Sequence, residues 1–236
     1  MNKWLNNNPV RANLFPCLLC GLEAAGRLGI CPACEQALPH NLFACRRCAL
    51  PIPQSSHVQL CGQCLDAPPA FHQAQVPYIY AAPLDALLTG LKFRQQLHQA
   101  RLLGGLLARY LQENLRRYPE CIIPVPLHPS RLRERGYNQA LELARPLARA
   151  LGVPVEKNQV QRIRQTQAQT ELKLDDRARN LRHAFQVHRS PGYRHVALID
   201  DVITSGHTLN ALAEAFCQQG VERIEVWAIA RAVYRR

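Results

Sequence analysis

The segment Val196-Ala197-Leu198-Ile199-Asp200-Asp201-Val202-Ile203-Thr204-Ser205-Gly206-His207-Thr208-Leu209 carries the residues best suited to chemistry. An apolar strand ending near Ile199 delivers two adjacent carboxylates to its C-terminal end, the edge at which open α/β sheets bind ligands. A turn of hydroxyls and glycine, Thr204 to Thr208, then opens a helix. Backbone N–H groups there, with the helix N-terminus behind them, form a cradle for phosphate. Gly206 lets the backbone approach the anion, and Thr204, Ser205 and Thr208 add hydroxyl donors. Two carboxylates beside a phosphate repel it unless they face something else. A ribose diol is such a partner, because ionised acids accept strong hydrogen bonds. The order strand, acids, turn, helix therefore predicts a site for a ribose 5-phosphate. The plainer alternative has the acids solvating a strand end and Thr204 capping the helix.

Eight of the ten cysteines form four C-x-x-C pairs: Cys17/Cys20, Cys31/Cys34, Cys45/Cys48 and Cys61/Cys64. Each pair sets two thiolates on a tight knuckle, and two knuckles complete the tetrahedral S4 shell that zinc prefers. Two structural Zn2+ sites are expected, with neighbouring pairs sharing a site; interleaved pairing stays open on spacing alone. The chain between the pairs is too poor in apolar residues to bury a core, so metal must supply much of the folding energy. A thioredoxin-like redox motif is single and sits on a βαβ unit, unlike four successive pairs. Cys121 and Cys217 are expected to be small buried hydrophobes.

A second anion site is expected from Val125-Pro126-Leu127-His128 through Arg131, Arg133 and Arg135-Gly136, since arginine forks suit the oxyanions of a pyrophosphate; the plainer alternative is a solvated basic helix entry. Residues 162–182 carry Arg162, Arg164, Lys173, Arg177, Arg179 and Arg182 with little apolar periodicity, the composition of a mobile basic loop or of a solvated surface. Residues 131–194 hold 14 basic and 6 acidic side chains, which concentrates charge around the expected sites.

The chain as a whole has 236 residues and a formal charge of +12, which favours an anionic partner such as phosphate, nucleotide or nucleic acid. A hydrophobic content of 47% excludes wholesale disorder. The first 16 residues lack the apolar core of a secretory signal, and no apolar run is long enough to span a membrane. A reducing, cytoplasmic setting is expected, in which ten cysteines call for metal rather than disulfides. Adjacent prolines at Pro68-Pro69 suggest a boundary between a cysteine-rich unit, 1–66, and a second unit, 67–236. In the latter, strands are expected at Tyr78–Ala81, Cys121–Val125, His195–Ile199 and Arg223–Ala232. Helices are expected at Pro83–Phe93, Gln96–Arg117, Asn138–Leu151 and Thr208–Gln219. Their alternation predicts an α/β fold with a mostly parallel sheet covered on both faces.

These motifs together resemble the ComF/GntX family, competence-associated proteins with a zinc-binding N-terminus and a type I phosphoribosyltransferase-like domain. The resemblance runs nearly the full length. Its marks are the cysteine pairs, Val125 to His128 with Arg131 and Arg135-Gly136-Tyr137-Asn138-Gln139, and Thr166, Gln169 and Leu172. They continue through Arg177, Asn180 and Ala184-Phe185 to the Asp200–Thr208 segment. It implies phosphoribosyl pyrophosphate (PRPP), bound with Mg2+, as ligand. Its 5-phosphate would lie on Thr204 to Thr208, its diol on Asp200 and Asp201, and its pyrophosphate near Val125, Pro126, Leu127, Arg131 and Arg135, with Val202 and Ile203 also among the ligand-binding residues. Arg164 is the candidate from the basic loop that closes on the leaving group. The acceptor is not implied. A rival expectation is a non-catalytic module for single-stranded DNA or nucleotides working with a DNA-processing protein. A third is a PRPP sensor. The 6% aromatic content argues against a base-stacking platform, but not against electrostatic backbone binding.

Overall fold

The computed structural model describes residues 16–22, 28–54, 59–164, 184–188 and 192–233. Its centre is a five-stranded, wholly parallel sheet of β1 (Gln73–Gln75), β2 (Tyr78–Ile79), β3 (Cys121–Pro124), β6 (His195–Ile203) and β7 (Arg223–Arg231). The order is β1-β7-β6-β3, and β2 continues along β7 where β1 stops. β6 lies between β3 and β7, with Leu198 opposite Ile123 on one side and Val226 on the other. Central strands of a doubly covered sheet must be apolar on both faces, which is why Val196 to Ile199 and Ile224 to Ala230 read as runs. Glu225 is the exception within that second run. It is buried and takes hydrogen bonds from His195, Arg223 and Trp227.

One face is covered by α3 (Leu84–Phe93), α4 (His98–Asn114) and α6 (Gln139–Leu151), whose leucines meet Ile199 and Trp227. Fully burying each such leucine contributes about 1.5–3 kcal/mol. The other face is covered by α7 (His207–Cys217), through Leu209, Leu212 and Phe216, and by the antiparallel pair β4 (Val160–Arg162) and β5 (Phe185–Val187). Short β4, β5, β1 and the helix α5 (Pro129–Arg135) carry too few residues for periodicity to reveal them. Arg162, expected in a mobile loop, is instead part of β4. Residues 165–183, which hold Thr166, Gln169, Lys173 and Arg177, lie outside the described residues, as do residues 1–15.

The cysteine knuckles pack onto this frame. Cys17, Ile30 and Leu38 join the α3–α4 core, while Glu35 of α1 (Pro32–Gln36) pairs with Arg109 of α4. Gly105 permits that approach: a Cβ there would stand 2.4 Å from Leu28 Cδ2. The second pair of knuckles, which includes α2 (Gly62–Asp66), touches the opposite core through Ala49, and Arg47 donates to the Pro69 carbonyl at 2.8 Å. Cys121 is buried in β3 as expected, but Cys217 is exposed at the end of α7. Its thiol lies 3.9 Å from the Ala70 carbonyl, and the last turn of an amphipathic helix rotates that position outward. Among the described residues no helix is long and apolar enough to cross a membrane.

Candidate functional site

Parallel strands side by side send their following loops out at the same edge, which brings the segments after β3 and β6 together. Val125 N–H donates to the Ile199 carbonyl at 2.9 Å, and Asn138 Nδ2 donates to the Val125 carbonyl at 3.0 Å. Asn138 also caps α6, accepting from Ala140 N–H, so one side chain fixes both ends of the Val125–Tyr137 excursion. Within it, Pro126 and Leu127 precede α5, and His128 caps that helix by accepting from Ser130 N–H. Arg131 and Arg135 lie on α5. Arg135 stacks over the Phe93 ring at 5.5 Å, and a cleft of about 140 Å³ opens between Lys92, Phe93, Arg131 and Arg135.

β6 runs farther than the sequence suggested. It reaches Ile203, so Asp200 and Asp201 are strand residues rather than the first residues of the turn. The cause is β7, whose Ala230 and Arg231 continue the pairing beside Val202 and Ile203. Successive strand residues lean to opposite faces. Asp201, buried, is drawn to Lys92 of α3, with Nζ to Oδ2 at 2.7 Å. Burial opposes the Lys92 charge, yet the Asp201 and Asp200 carboxylates outweigh it and raise its pKa above the usual lysine value. Asp200 lies on the side of Arg162. Burial lowers the Arg162 guanidinium below its ordinary value, with Asp200 opposing that shift and Arg131 adding to it. The Asp200 carboxyl itself is pushed up to about 8, first by burial and then by the Asp201 charge, despite nearby Lys92.

Thr204, Ser205 and Gly206 form the turn, and His207 and Thr208 begin α7. Gly206 has φ +81, a left-handed conformation that costs a side-chain-bearing residue about 1–2 kcal/mol. No side chain caps α7, so the N–H groups of its first turn face outward where an anion would sit. The larger cavity, about 430 Å³, is at the opposite edge of β6 and β7 beside His72, Arg117, Arg194 and His195, and holds none of the expected ligand residues.

The cysteines form two quartets, Cys17/Cys20/Cys31/Cys34 and Cys45/Cys48/Cys61/Cys64, each with its four sulfurs within 4.8 Å of one another. Neighbouring pairs therefore share a site. A tetrahedral zinc with Zn–S near 2.3 Å places sulfurs about 3.8 Å apart. Cys20 to Cys31 is 3.8 Å and Cys48 to Cys61 is 3.6 Å, so the residues fit that ion. Charge is shared unevenly among the thiols. Burial would raise Cys17 and Cys45, but backbone N–H donors hold them down to about 6 and about 7. Burial, with the Cys45 thiolate beside it, pushes Cys48 up to about 11. A divalent cation at the centre would favour thiolate throughout.

The double zinc ribbon domain family matches residues 12–65 and the phosphoribosyl transferase domain family matches residues 138–234. Competence protein F of Haemophilus influenzae is 37% identical over 226 residues, covering 92% of this chain and 97% of that protein. The chain belongs to the family of competence protein F and YhgH. DNA utilization protein YhgH of Escherichia coli, another member, is 34% identical over 223 residues with the same two coverages. Among solved structures, the glutamine PRPP amidotransferase of Bacillus subtilis aligns at TM-score 0.34 and 20% identity over 53% of this chain and 25% of that one. Purine phosphoribosyltransferase of Pyrococcus horikoshii aligns at 0.32 and 17% over 58% and 83%.

In this member of the competence protein F and YhgH family, the fold brings together Val125–Leu127, Arg131, Arg135, Asp200, Asp201 and the segment Val202–Thr208, which passes from the end of β6 through the turn into α7. Arg164 is exposed two residues past the end of β4. Lys92 and Arg231 were missed by sequence reasoning, and Arg162 was named only as one of several residues of a basic loop. Arg162 and Lys92 stand in charge-rich or apolar contexts common to any surface, and only the distant partner distinguishes them.

Proposed function

We propose that this cytoplasmic protein binds PRPP with Mg2+ as substrate complex and transfers its phosphoribosyl group to an acceptor, in the use of imported DNA. The observation that carries the reading is β6 itself: one strand carries Asp200-Asp201 near its C-terminal end, runs to Ile203 and passes through a left-handed Gly206 into an uncapped helix start. The 5-phosphate would take the N–H groups of residues 204–208 and the hydroxyls of Thr204, Ser205 and Thr208. The carboxylates of Asp200 and Asp201 would accept from the ribose diol, and Arg131, Arg135 and Arg164 would hold the pyrophosphate. In transfer, the C1–O bond to pyrophosphate breaks with its electron pair leaving on pyrophosphate. The acceptor's lone pair forms the new bond to C1, and its proton passes to solvent. The acids stabilise positive charge as it grows on the sugar. The Mg2+ carried by the substrate offsets pyrophosphate charge. Residues 1–66 then act as the zinc-held unit and 67–236 as the PRPP-binding unit.

The names of the two relatives and the +12 charge favour a second reading, binding of single-stranded DNA without turnover. The two separate in solution. PRPP–Mg2+ is expected to bind at micromolar concentration, and pyrophosphate release should appear with some member of a panel of bases and nucleosides. Single-strand affinity that falls steeply with salt, beside no PRPP binding, would favour the second.

A further inference from the structure

Arg231 is the last residue of β7 and is 4% exposed, yet no carboxylate pairs with it among the described residues. Among the described residues, every hydrogen bond from its Nη1 and Nε goes to a backbone carbonyl. Nη1 donates to Ile203 at 2.9 Å, to Ala232 at 3.2 Å and to Thr204, the first residue of the phosphate turn. Nε donates in the other direction, to the Cys48 carbonyl at 3.2 Å. One rigid, planar fork thus spans from a cysteine of the second quartet to the entrance of the anion cradle. A buried cation satisfied by carbonyls alone holds those carbonyls in one arrangement, because releasing any of them leaves charge desolvated.

The Cys48 end is itself fixed from both sides. Asn41 Nδ2 donates to the carbonyl of Ala49 at 2.9 Å and to that of Val76 at 3.3 Å, tying the knuckle to the sheet. Ala49 N–H closes the knuckle on the Cys45 carbonyl at 2.8 Å, and Ala49 has φ +57, a conformation an alanine keeps only under constraint. Metal at Cys45, Cys48, Cys61 and Cys64 would supply that constraint. The first quartet has no such connection to the turn among the described residues.

We propose that Arg231 is a positioning residue that hangs the phosphate turn on the second cysteine quartet, so that metal in that quartet and anion in the turn strengthen each other. The proposal rests on the reading of residues 204–208 as an anion cradle. Linkage makes the effect reciprocal: whatever factor metal adds to anion affinity, the anion adds to metal affinity.

The test uses the full-length protein, zinc chelation and two readouts. Zinc release is followed with a chromophoric chelator while alkylation reports which quartet has opened, with and without saturating PRPP–Mg2+. Ligand is expected to tighten zinc about fivefold or more at the second quartet and not at the first. Arg231→Met should abolish the difference, and Arg231→Lys, which keeps the charge but not the fork, should restore only part of it. Equal tightening at both quartets, or tightening that survives in Arg231→Met, overturns the proposal. Amide exchange of residues 203–208, measured without ligand, separates this failure from failure of the PRPP reading. Emptying the second quartet should speed that exchange in wild type. Faster exchange with no PRPP binding leaves the strut and sinks only the ligand assignment; PRPP binding with unchanged exchange sinks only the strut. Should Arg231→Met not fold, the wild-type exchange and Arg231→Lys decide the matter.

Discussion

Asp200→Asn is expected to make the protein more stable and a poorer binder of PRPP–Mg2+ at the same time. The Asp200 carboxyl is held up to about 8 by burial and by Asp201, so its ionisation is disfavoured in the folded state. For an acid whose folded pKa is raised, stability is complete below the ordinary carboxylate value and is lost as pH climbs through the folded value. The variant carries no such loss. Its melting temperature should match wild type near pH 4, pull ahead between pH 4 and 8, and stay ahead above that. Relief of even 1–2 kcal/mol raises Tm by roughly 3–6 °C in a chain of this size. Binding moves the other way. A hydrogen bond from the diol to the neutral acid is worth about 0.5–1.5 kcal/mol, so near pH 7 affinity should fall by roughly two- to tenfold, and by more above pH 8, where wild type carries the carboxylate. Adding Asp201→Asn should deepen the binding loss and take stability back, since Lys92 loses the partner 2.7 Å away. Melting curves across pH with calorimetric titration check both directions. A variant that is more stable yet binds as wild type removes Asp200 from the site.

Loss of a second-quartet ligand should have the largest effect on stability. Among the described residues, the apolar company around Cys45, Cys61 and Cys64 is Leu50, Ile52, Leu60 and Cys48, too little to fold without a staple. Structural zinc contributes apparent binding energies of about 10–16 kcal/mol in small domains. Cys61→Ser is expected to drop zinc content from two to one per chain and lower Tm by about 10 °C or more. Cys217→Ser, an exposed cysteine outside both quartets, should change neither. Metal analysis and melting of the two variants test this, and a Cys61→Ser protein with wild-type Tm would contradict it.

What the sequence disclosed and what it withheld divide along range of contact. The β6 acids, the Gly206 turn and the C-x-x-C knuckles are local patterns, legible because each function needs its residues within a few positions. The helices α3 and α4 announced themselves by leucine period, and α6 by the glycine beyond its end. The extent of β6 did not, since Val202 and Ile203 remain strand only through pairing with β7. Lys92 gives no local sign of facing Asp201, and Arg231 lies 183 residues from Cys48. Such charges become meaningful only once the sheet brings them together. Cys217 erred for the opposite reason: its neighbours are apolar, but its place on the last helical turn faces water.

The most direct measurement is a crystal structure of the full chain with PRPP and Mg2+. The expected result is the 5-phosphate on the N–H groups of residues 204–208, the diol against Asp200 and Asp201, and pyrophosphate toward Arg131 and Arg135. Phosphate seated instead beside Arg117 and Arg194 at the far edge of the sheet, with the Gly206 turn free of ligand, would contradict it.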